Sequence, residues 1–309
     1  MSNDRSEIYR GRFAPSPTGP LHLGSLVAAV ASYLDARRQG GQWLLRMEDL
    51  DTPRVQPGAA DAILRTLERF ALPWDGPVLY QSQRSEAYRA AIETLRAAGH
   101  CFECACTRRE IADSALPGED GPIYPGTCRA GLASGRQGRA LRVRVDATPI
   151  VFEDRLQGRQ LHKLAETVGD FVILRADGIV AYQLAVVVDD AAQGITDVVR
   201  GSDLLASTPR QIHLQQLLGV PTPRYLHLPV AVNAAGEKLS KQTYAAPVDA
   251  LPPQRAANAA LAFLGQPVPA DLQGLPLAEL WAYASAHWAP AQLPRSRTQT
   301  STFAEPAPD

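Results

Sequence analysis

The sequence predicts an α/β fold organised on a parallel sheet. Short apolar strands alternate with amphipathic helices through the first hundred residues, the rhythm of βαβ units. The first strand hands over to its helix through "RFAPSPTGPLHLGS" (Arg12–Ser25), which packs three prolines, two glycines and a histidine into one turn. A cysteine-, glycine-, proline- and arginine-rich tract then breaks the rhythm before it resumes, which marks an insert rather than a second fold.

In chain order, Tyr9–Phe13 reads as a short strand and Leu21–Gln39 as a helix that Gly40-Gly41 ends. "QWLLRME" (Gln42–Glu48) is a buried strand. Pro57 opens a helix running to Phe70, a favourable place for proline, and Ser85–Ala98 is a further amphipathic helix. From His100 to about Gly138 periodicity fades. "ALRVRV" and "PIVFED" then suggest an antiparallel strand pair. "DFVILRADGIVAYQLAVVVDDA" reads as strand, turn at Asp177-Gly178, and helix. "ITDVVRG" is a strand, "TPRQIHLQQLLG" a helix, and "KLSKQ" (Lys238–Gln242) a loop. Pro252–Leu264 and Leu277–Ala286 look like helices of a small terminal bundle, and the polar, Pro-rich end is expected to be disordered. The resulting division is 1–99 and 139–242 for the two halves of a nucleotide-binding domain, 100–138 for the insert, 243–290 for a helical region and 291–309 for a tail.

A chain of 309 residues suits two domains, or one large domain with insertions. With 45% hydrophobic and 20% charged residues it has the composition of a soluble globular protein. A net charge of −1 gives no global basic signal, though a local basic face can hide in a neutral total. The amino-terminus has no apolar signal segment, and "IVAYQLAVVV" is too short to span a bilayer, so a cytoplasmic protein is expected. In a reducing compartment its four cysteines, clustered between Cys101 and Cys128, point to metal binding before disulfides.

The opening turn has the makings of a nucleotide site. Ligands of parallel α/β sheets bind outside the carboxyl ends of the strands. Prolines fix φ, Gly19 and Gly24 let backbone approach a ligand, and the helix N-terminus offers free N–H groups to phosphate. His22 stands at that terminus. A plain Pro-rich surface turn is the competing reading, since no P-loop or dinucleotide glycine pattern is present. "KLSK" adds two lysines on a loop, fit for a mobile phosphate clamp or simply solvated.

Taken together and in order, "PSPTGPLHLGS", "RMEDLD", "YQLAVVVDD", "VVRGSDLL" and "KLSKQ" closely resemble class I aminoacyl-tRNA synthetases of the glutamyl type, from about Tyr9 to about Gln242. "HLGS" matches that family's His-X-Gly-His signature, with Ser25 where the second histidine often stands, and "KLSKQ" matches a slightly degenerate second signature. The resemblance implies a Rossmann-like catalytic domain, an inserted zinc-containing subdomain and a small helical, stem-contact-like C-terminal region. It implies ATP, accompanied by Mg²⁺, at His22, Gly24, Ser25 and Lys241, with His22, Lys241 and an assisting Lys238 stabilising the transition state. It places glutamate against Arg12, Phe13, Ala14, Pro15, Ser16, Glu48, Tyr182 and Arg200. That set is chemically apt: two carboxylates and an ammonium call for two cations and an anion, and arginine meets carboxylate as a fork. Which arginine takes which carboxylate is open. On the residues alone, Arg200 reads first as a surface ion pair with Asp197 or Asp203, and Glu48 as one of several acids solvated at a strand end.

Cys104, Cys106 and Cys128 are three plain zinc ligands of the four that a tetrahedral site wants. The family branch this chain most resembles has Cys-X-Cys followed by Tyr-X-X-X-Cys, which adds Tyr124; Cys101 and His100 are the other candidates, and buried reduced thiols the competing reading. Only about sixty residues follow "KLSKQ", too few for the anticodon-reading domain of a full glutamyl enzyme. The resemblance therefore narrows to the short branch, understood to load glutamate onto queuosine at the first anticodon position of tRNA(Asp), binding that anticodon stem-loop in its active site, as a monomer. The alternative is a shortened synthetase charging the 3′ end of tRNA(Glu). A small-molecule nucleotidyltransferase would leave Arg12, Glu48 and Arg200 incidental, and a non-catalytic paralogue should have lost one of these residues.

Overall fold

The computed structural model describes residues 8–118, 121–233, 235–238 and 247–300. The chain begins with β1 (Arg10–Phe13), α1 (Leu23–Arg38), β2 (Gln42–Met47), α2 (Ala59–Arg69), β3 (Leu79–Tyr80) and α3 (Ser85–Ala97). The middle holds β4 (Cys101–Cys104), α4 (Arg108–Ser114), β5 (Pro117–Gly118), β6 (Gly121–Pro122), β7 (Ala140–Val143), β8 (Ile150–Asp154), β9 (Gly158–His162), α5 (Leu164–Thr167) and β10 (Phe171–Leu174). Then come α6 (Tyr182–Gln193), β11 (Asp197–Gly201), α7 (Thr208–Leu218), β12 (Arg224–Leu228), β13 (Val230–Val232), α8 (Pro253–Phe263), α9 (Leu277–His287) and β14 (Thr298–Thr300).

Parallel strands β1, β2 and β3 form one sheet; β11, β12 and β8 run parallel in another, with β9 antiparallel at its edge. Thr196 joins them. Its N–H donates to the Arg10 carbonyl at 3.0 Å, and its hydroxyl accepts from the Arg10 N–H at 2.9 Å, so β1 lies between β2 and β11. The expected parallel α/β core is thus present. Gly41 starts β2 where a Cβ would stand 2.5 Å from the Tyr9 carbonyl oxygen, so the close packing of the two strand starts requires glycine there.

Helix α1 is apolar around most of its circumference, because it is buried on most sides. It packs on β1, β2 and β11 and is covered by α8 and α9. The C-terminal helices therefore share one core with the β1–β2–β3 sheet and α1 rather than forming a bundle of their own. A buried acid ties these layers. Asp35 on α1 accepts from both Arg155 Nη atoms at 2.6 and 3.0 Å, from Tyr9 Oη at 2.5 Å and from Trp288 Nε1 at 2.9 Å.

Several sequence expectations need correction. "ALRVRV" and "PIVFED" are both strands but do not pair: β7 lies between β4 and β10, whereas β8 joins β9 and β12. Local pattern fixes neither partner nor sheet, because pairing is a long-range choice. The same β4–β7–β10 sheet crosses the boundary drawn at residue 138, so the insert is continuous with the strands beyond it. Helix α2 starts at Ala59, not Pro57, and α1 at Leu23, with His22 as its N-cap. Finally, 291–300 is not a disordered tail. Leu293 is buried, and β14 pairs in parallel with β13, giving that strand's edge a partner.

Candidate active site

A cavity of about 600 Å³ opens at the carboxyl ends of β1, β2 and β11, between the N-termini of α1 and α6. The Pro/Gly turn after β1 forms one wall. It is held by backbone bonds, Glu48 N–H to the Pro15 carbonyl and Gln56 N–H to the Pro17 carbonyl, both 3.0 Å. Arg12, Phe13, Ala14, Pro15, Ser16, His22, Gly24, Ser25, Glu48, Tyr182, Arg200 and Lys238 all line this space. Residues that are up to 226 positions apart in sequence meet in one site. Lys241 lies outside the described residues.

His22 caps α1: Nδ1 accepts from the Ser25 N–H at 3.4 Å and Nε2 lies 3.2 Å from Ser25 Oγ. Capping fixes the ring at the helix end that faces the cavity. Lys238 pairs with Asp203 at 2.5 Å, and both line the cavity opposite the turn.

Asp190 on α6 organises the cationic side. Its Oδ1 takes Arg12 Nε at 3.2 Å and Arg46 Nη2 at 2.7 Å, while Arg46 Nη1 donates to Gln193 Oε1 at 2.7 Å. Burial would raise the Asp190 carboxyl, but the two guanidiniums hold it below the ordinary carboxylate value. Glu48 goes the other way. Burial pushes its carboxyl up despite Arg46 at 3.5 Å and Arg12. Its Oε1 has no hydrogen-bond partner among the described residues. The adjacent Asp189 serves a separate purpose: it is fully buried and takes Gln81 Nε2, Arg84 Nε and Tyr88 Oη at 2.7–3.0 Å, anchoring α6 to α3.

Arg200 is not a surface ion pair. Asp197 is taken by Arg224 at 2.7 Å and Asp203 by Lys238. Arg200 is 4% exposed and donates from Nε to His227 Nε2 at 3.0 Å and from Nη2 to Thr208 Oγ1 and Gln211 Oε1, both at 2.8 Å. Nη1 is buried without a hydrogen-bond partner among the described residues. An unmade bond on a buried donor costs about 1–3 kcal/mol. Arg200 and Glu48 therefore bring opposite charges to the wall of one cavity, each with a buried polar atom that makes no hydrogen bond among the described residues, Glu48 Oε1 being in ion-pair range of Arg46.

The sequence reasoning missed Asp190, Arg46, His227, Thr208 and Gln211. "YQLAVVVDD" and "RMEDLD" carried Asp190 and Arg46 in plain view, but nothing local distinguishes a buried acid that pairs with two arginines from a solvated one. His227 carried no signal at all.

In the insert, the Cys104, Cys106 and Cys128 sulfurs lie within 4.8 Å of one another, with Cys106 and Cys128 3.6 Å apart. Tyr124 Oη is 3.6 Å from Cys104 and 3.9 Å from Cys106 and accepts the Cys128 N–H at 2.8 Å. Neither Cys101 nor His100 joins the cluster. Three positions along β4 put Cys101 on the opposite face from Cys104.

A family model described as the catalytic domain of class I tRNA synthetases (E and Q) matches residues 9–251. The chain belongs to this family. Its glycine- and proline-rich turn, the cavity-lining residues and the α1 N-terminus all fall within the matched range. The chain is 63% identical to a protein of Aromatoleum aromaticum named glutamyl-Q tRNA(Asp) synthetase, over 96% of this chain and 93% of that one. It is equally 63% identical to one of that name from Dechloromonas aromatica, over 93% and 96%. Among solved structures it shares its fold with a glutamate-tRNA synthetase from Elizabethkingia anophelis. The TM-score is 0.79 at 24% identity, covering 96% of this chain and 68% of that one. No helix among the described residues is long and apolar enough to cross a membrane.

Proposed function

We propose that this synthetase activates L-glutamate with ATP and transfers it to queuosine at the first anticodon position of tRNA(Asp). The observation that carries the amino-acid half is the pair of opposite charges on the cavity wall, Arg200 and Glu48, each with a buried polar atom that makes no hydrogen bond among the described residues, flanked by Arg12 and Tyr182. The RNA half is supported by the near full-length likeness to the two glutamyl-Q tRNA(Asp) synthetases.

Arg12 and Arg200 meet the two carboxylates and Glu48 the α-ammonium, whose positive charge relieves the burial that raises the Glu48 carboxyl. The α-carboxylate attacks the α-phosphorus of ATP and pyrophosphate leaves. A hydroxyl of the RNA then attacks the acyl carbon of glutamyl-adenylate and releases AMP. No protein nucleophile is needed, so the protein's task is positioning and charge. The N-terminus of α1, with His22, Gly24 and Ser25, receives phosphate; Lys238 and Lys241 counter the charge that builds on it. Phe13, Ala14, Pro15 and Ser16 shape the amino-acid end. Mg²⁺ accompanies the ATP phosphates. The protein acts as a monomer in the cytoplasm.

Three thiolates and the Tyr124 phenol have the donor chemistry and the spacing of a tetrahedral zinc site, where Zn–S distances near 2.3 Å set neighbouring sulfurs roughly 3.8 Å apart. Zinc bound there would cross-link β4 to the 124–128 segment. Cys104→Ser should lower bound zinc, read by elemental analysis, and Cys101→Ser should leave it unchanged. Equal zinc in wild type and Cys104→Ser would remove Cys104 as a ligand.

Labelled glutamate and ATP, offered with tRNA(Asp) carrying or lacking queuosine and with tRNA(Glu), test the whole reading. Label is expected on queuosine-containing tRNA(Asp) alone. Label on tRNA(Glu) would make the chain a shortened glutamyl-tRNA synthetase.

A further inference from the structure

Behind Arg200 lies a chain of buried polar groups that reaches the cavity only through that arginine. His227 on β12 is fully buried and faces Arg200 with Nε2. Its Nδ1 lies 2.6 Å from Asp154 Oδ2 at the end of β8. Asp154 is itself pinned. Its Oδ1 accepts three backbone N–H groups, from Gln157 at 2.8 Å, Leu156 at 3.0 Å and His227 at 3.2 Å.

We infer that Asp154 and His227 act as a tautomer lock that positions Arg200 for its substrate carboxylate. A neutral imidazole carries one N–H. Nε2 faces the Nε–H of a guanidinium that is always protonated and lies 3.1 Å from Thr208 Oγ1, whose hydroxyl accepts from Arg200 and can donate its own proton to the ring, so Nε2 accepts from both. The proton therefore belongs on Nδ1, and a carboxylate is the acceptor that holds it there. Burial, with the nearby Arg200 charge, lowers the His227 pKa to about 4 against the pull of Asp154, so the ring stays neutral in the working range. With Nε engaged by His227, and Nη2 by Thr208, Gln211 and the Leu204 carbonyl, the guanidinium is fixed in plane and roll, and Nη1 is its one nitrogen without a hydrogen bond among the described residues. Asp154 and His227 are positioning residues: neither lines the cavity.

The inference rests on Arg200 binding glutamate, and the experiment separates the two. Asp154→Asn is the informative change. The three backbone donors still claim an oxygen at the Oδ1 position, which turns the new amide NH₂ toward His227 Nδ1. The imidazole must then move its proton to Nε2, where it meets the Arg200 Nε–H and turns to Thr208 Oγ1 instead, so Arg200 loses its ring acceptor. In ATP–pyrophosphate exchange with tRNA present, Asp154→Asn should raise the glutamate KM tenfold or more and leave the ATP KM within about twofold. His227→Gln offers Arg200 an amide oxygen with no tautomer to choose. In that background Asp154→Asn should have no further effect on glutamate KM, an outcome that loss of packing would not produce. Nitrogen-15 NMR of the wild-type protein should find His227 neutral with its proton on Nδ1, which keeps the test open if Asp154→Asn does not fold. A proton on Nε2, or a KM shift that persists in His227→Gln, would overturn the lock. So would an unchanged KM in Asp154→Asn while Arg200→Ala raises it. An unchanged KM in Arg200→Ala would instead overturn the role given to Arg200, and this inference with it.

Discussion

Arg200→Ala should reduce kcat/KM for glutamate by a factor on the order of 10–10², most of it in KM. Hydrogen bonds to charged groups contribute about 1.5–3 kcal/mol each, and a factor of ten corresponds to about 1.4 kcal/mol. Arg200 is preorganised by three buried acceptors and has one donor to spend, so the ligand gains a bond without ordering a flexible side chain. Arg200→Lys keeps the charge but loses the fork, so it should recover only part of the loss. Initial-rate exchange over a glutamate series checks this; a KM for ATP that moves in parallel would point to a general collapse of the site.

Asp190→Ala should be the most destabilising single change at the site, by about 3–5 kcal/mol, because it leaves two guanidiniums buried without their anion. Arg12 is 4% exposed and Arg46 fully buried, so neither can turn to water. At about 2–4 °C per kcal/mol for domains of this size class, Tm should fall by roughly 6–20 °C. The pH dependence has a definite sign. The folded Asp190 carboxyl is held below its ordinary value, so its contribution is complete above the unfolded value, near 4, and is lost as pH falls through the folded one. Asp35 and Asp154 shift in the same direction. Wild-type Tm should therefore drop steeply below about pH 4, and less steeply in Asp190→Ala. A thermal scan from pH 3 to 7 reads both.

Much of the fold was legible because it is written locally. The α1 run, the β2 run and the "DFVIL…YQLAVVV" strand–turn–helix appear within a few residues of their expected bounds, since apolar spacing, capping and Gly-terminated ends are short-range signals. Strand partnership was not legible. β7 and β8 are neighbours in sequence and belong to different sheets, and β14 was hidden in a polar tail because an edge strand with half its face in water has little apolar pattern to show.

The site divides along the same line. By itself the sequence determined the chemical inventory: a phosphate-ready helix start at His22–Ser25, arginines and an acid fit for glutamate, and a Cys-X-Cys with a distant cysteine. Those are properties of residue type and short spacing, which a single strand or turn can carry. Only the tertiary structure decided which charges are spent and which are available. Asp190 occupies Arg12 Nε and His227 occupies Arg200 Nε, while Arg200 Nη1 and Glu48 Oε1 make no hydrogen bond among the described residues. Cys101 is turned away from the thiol cluster for the same kind of reason. A charge's role depends on what it is buried against, and burial is set by elements that meet across the whole length of the chain.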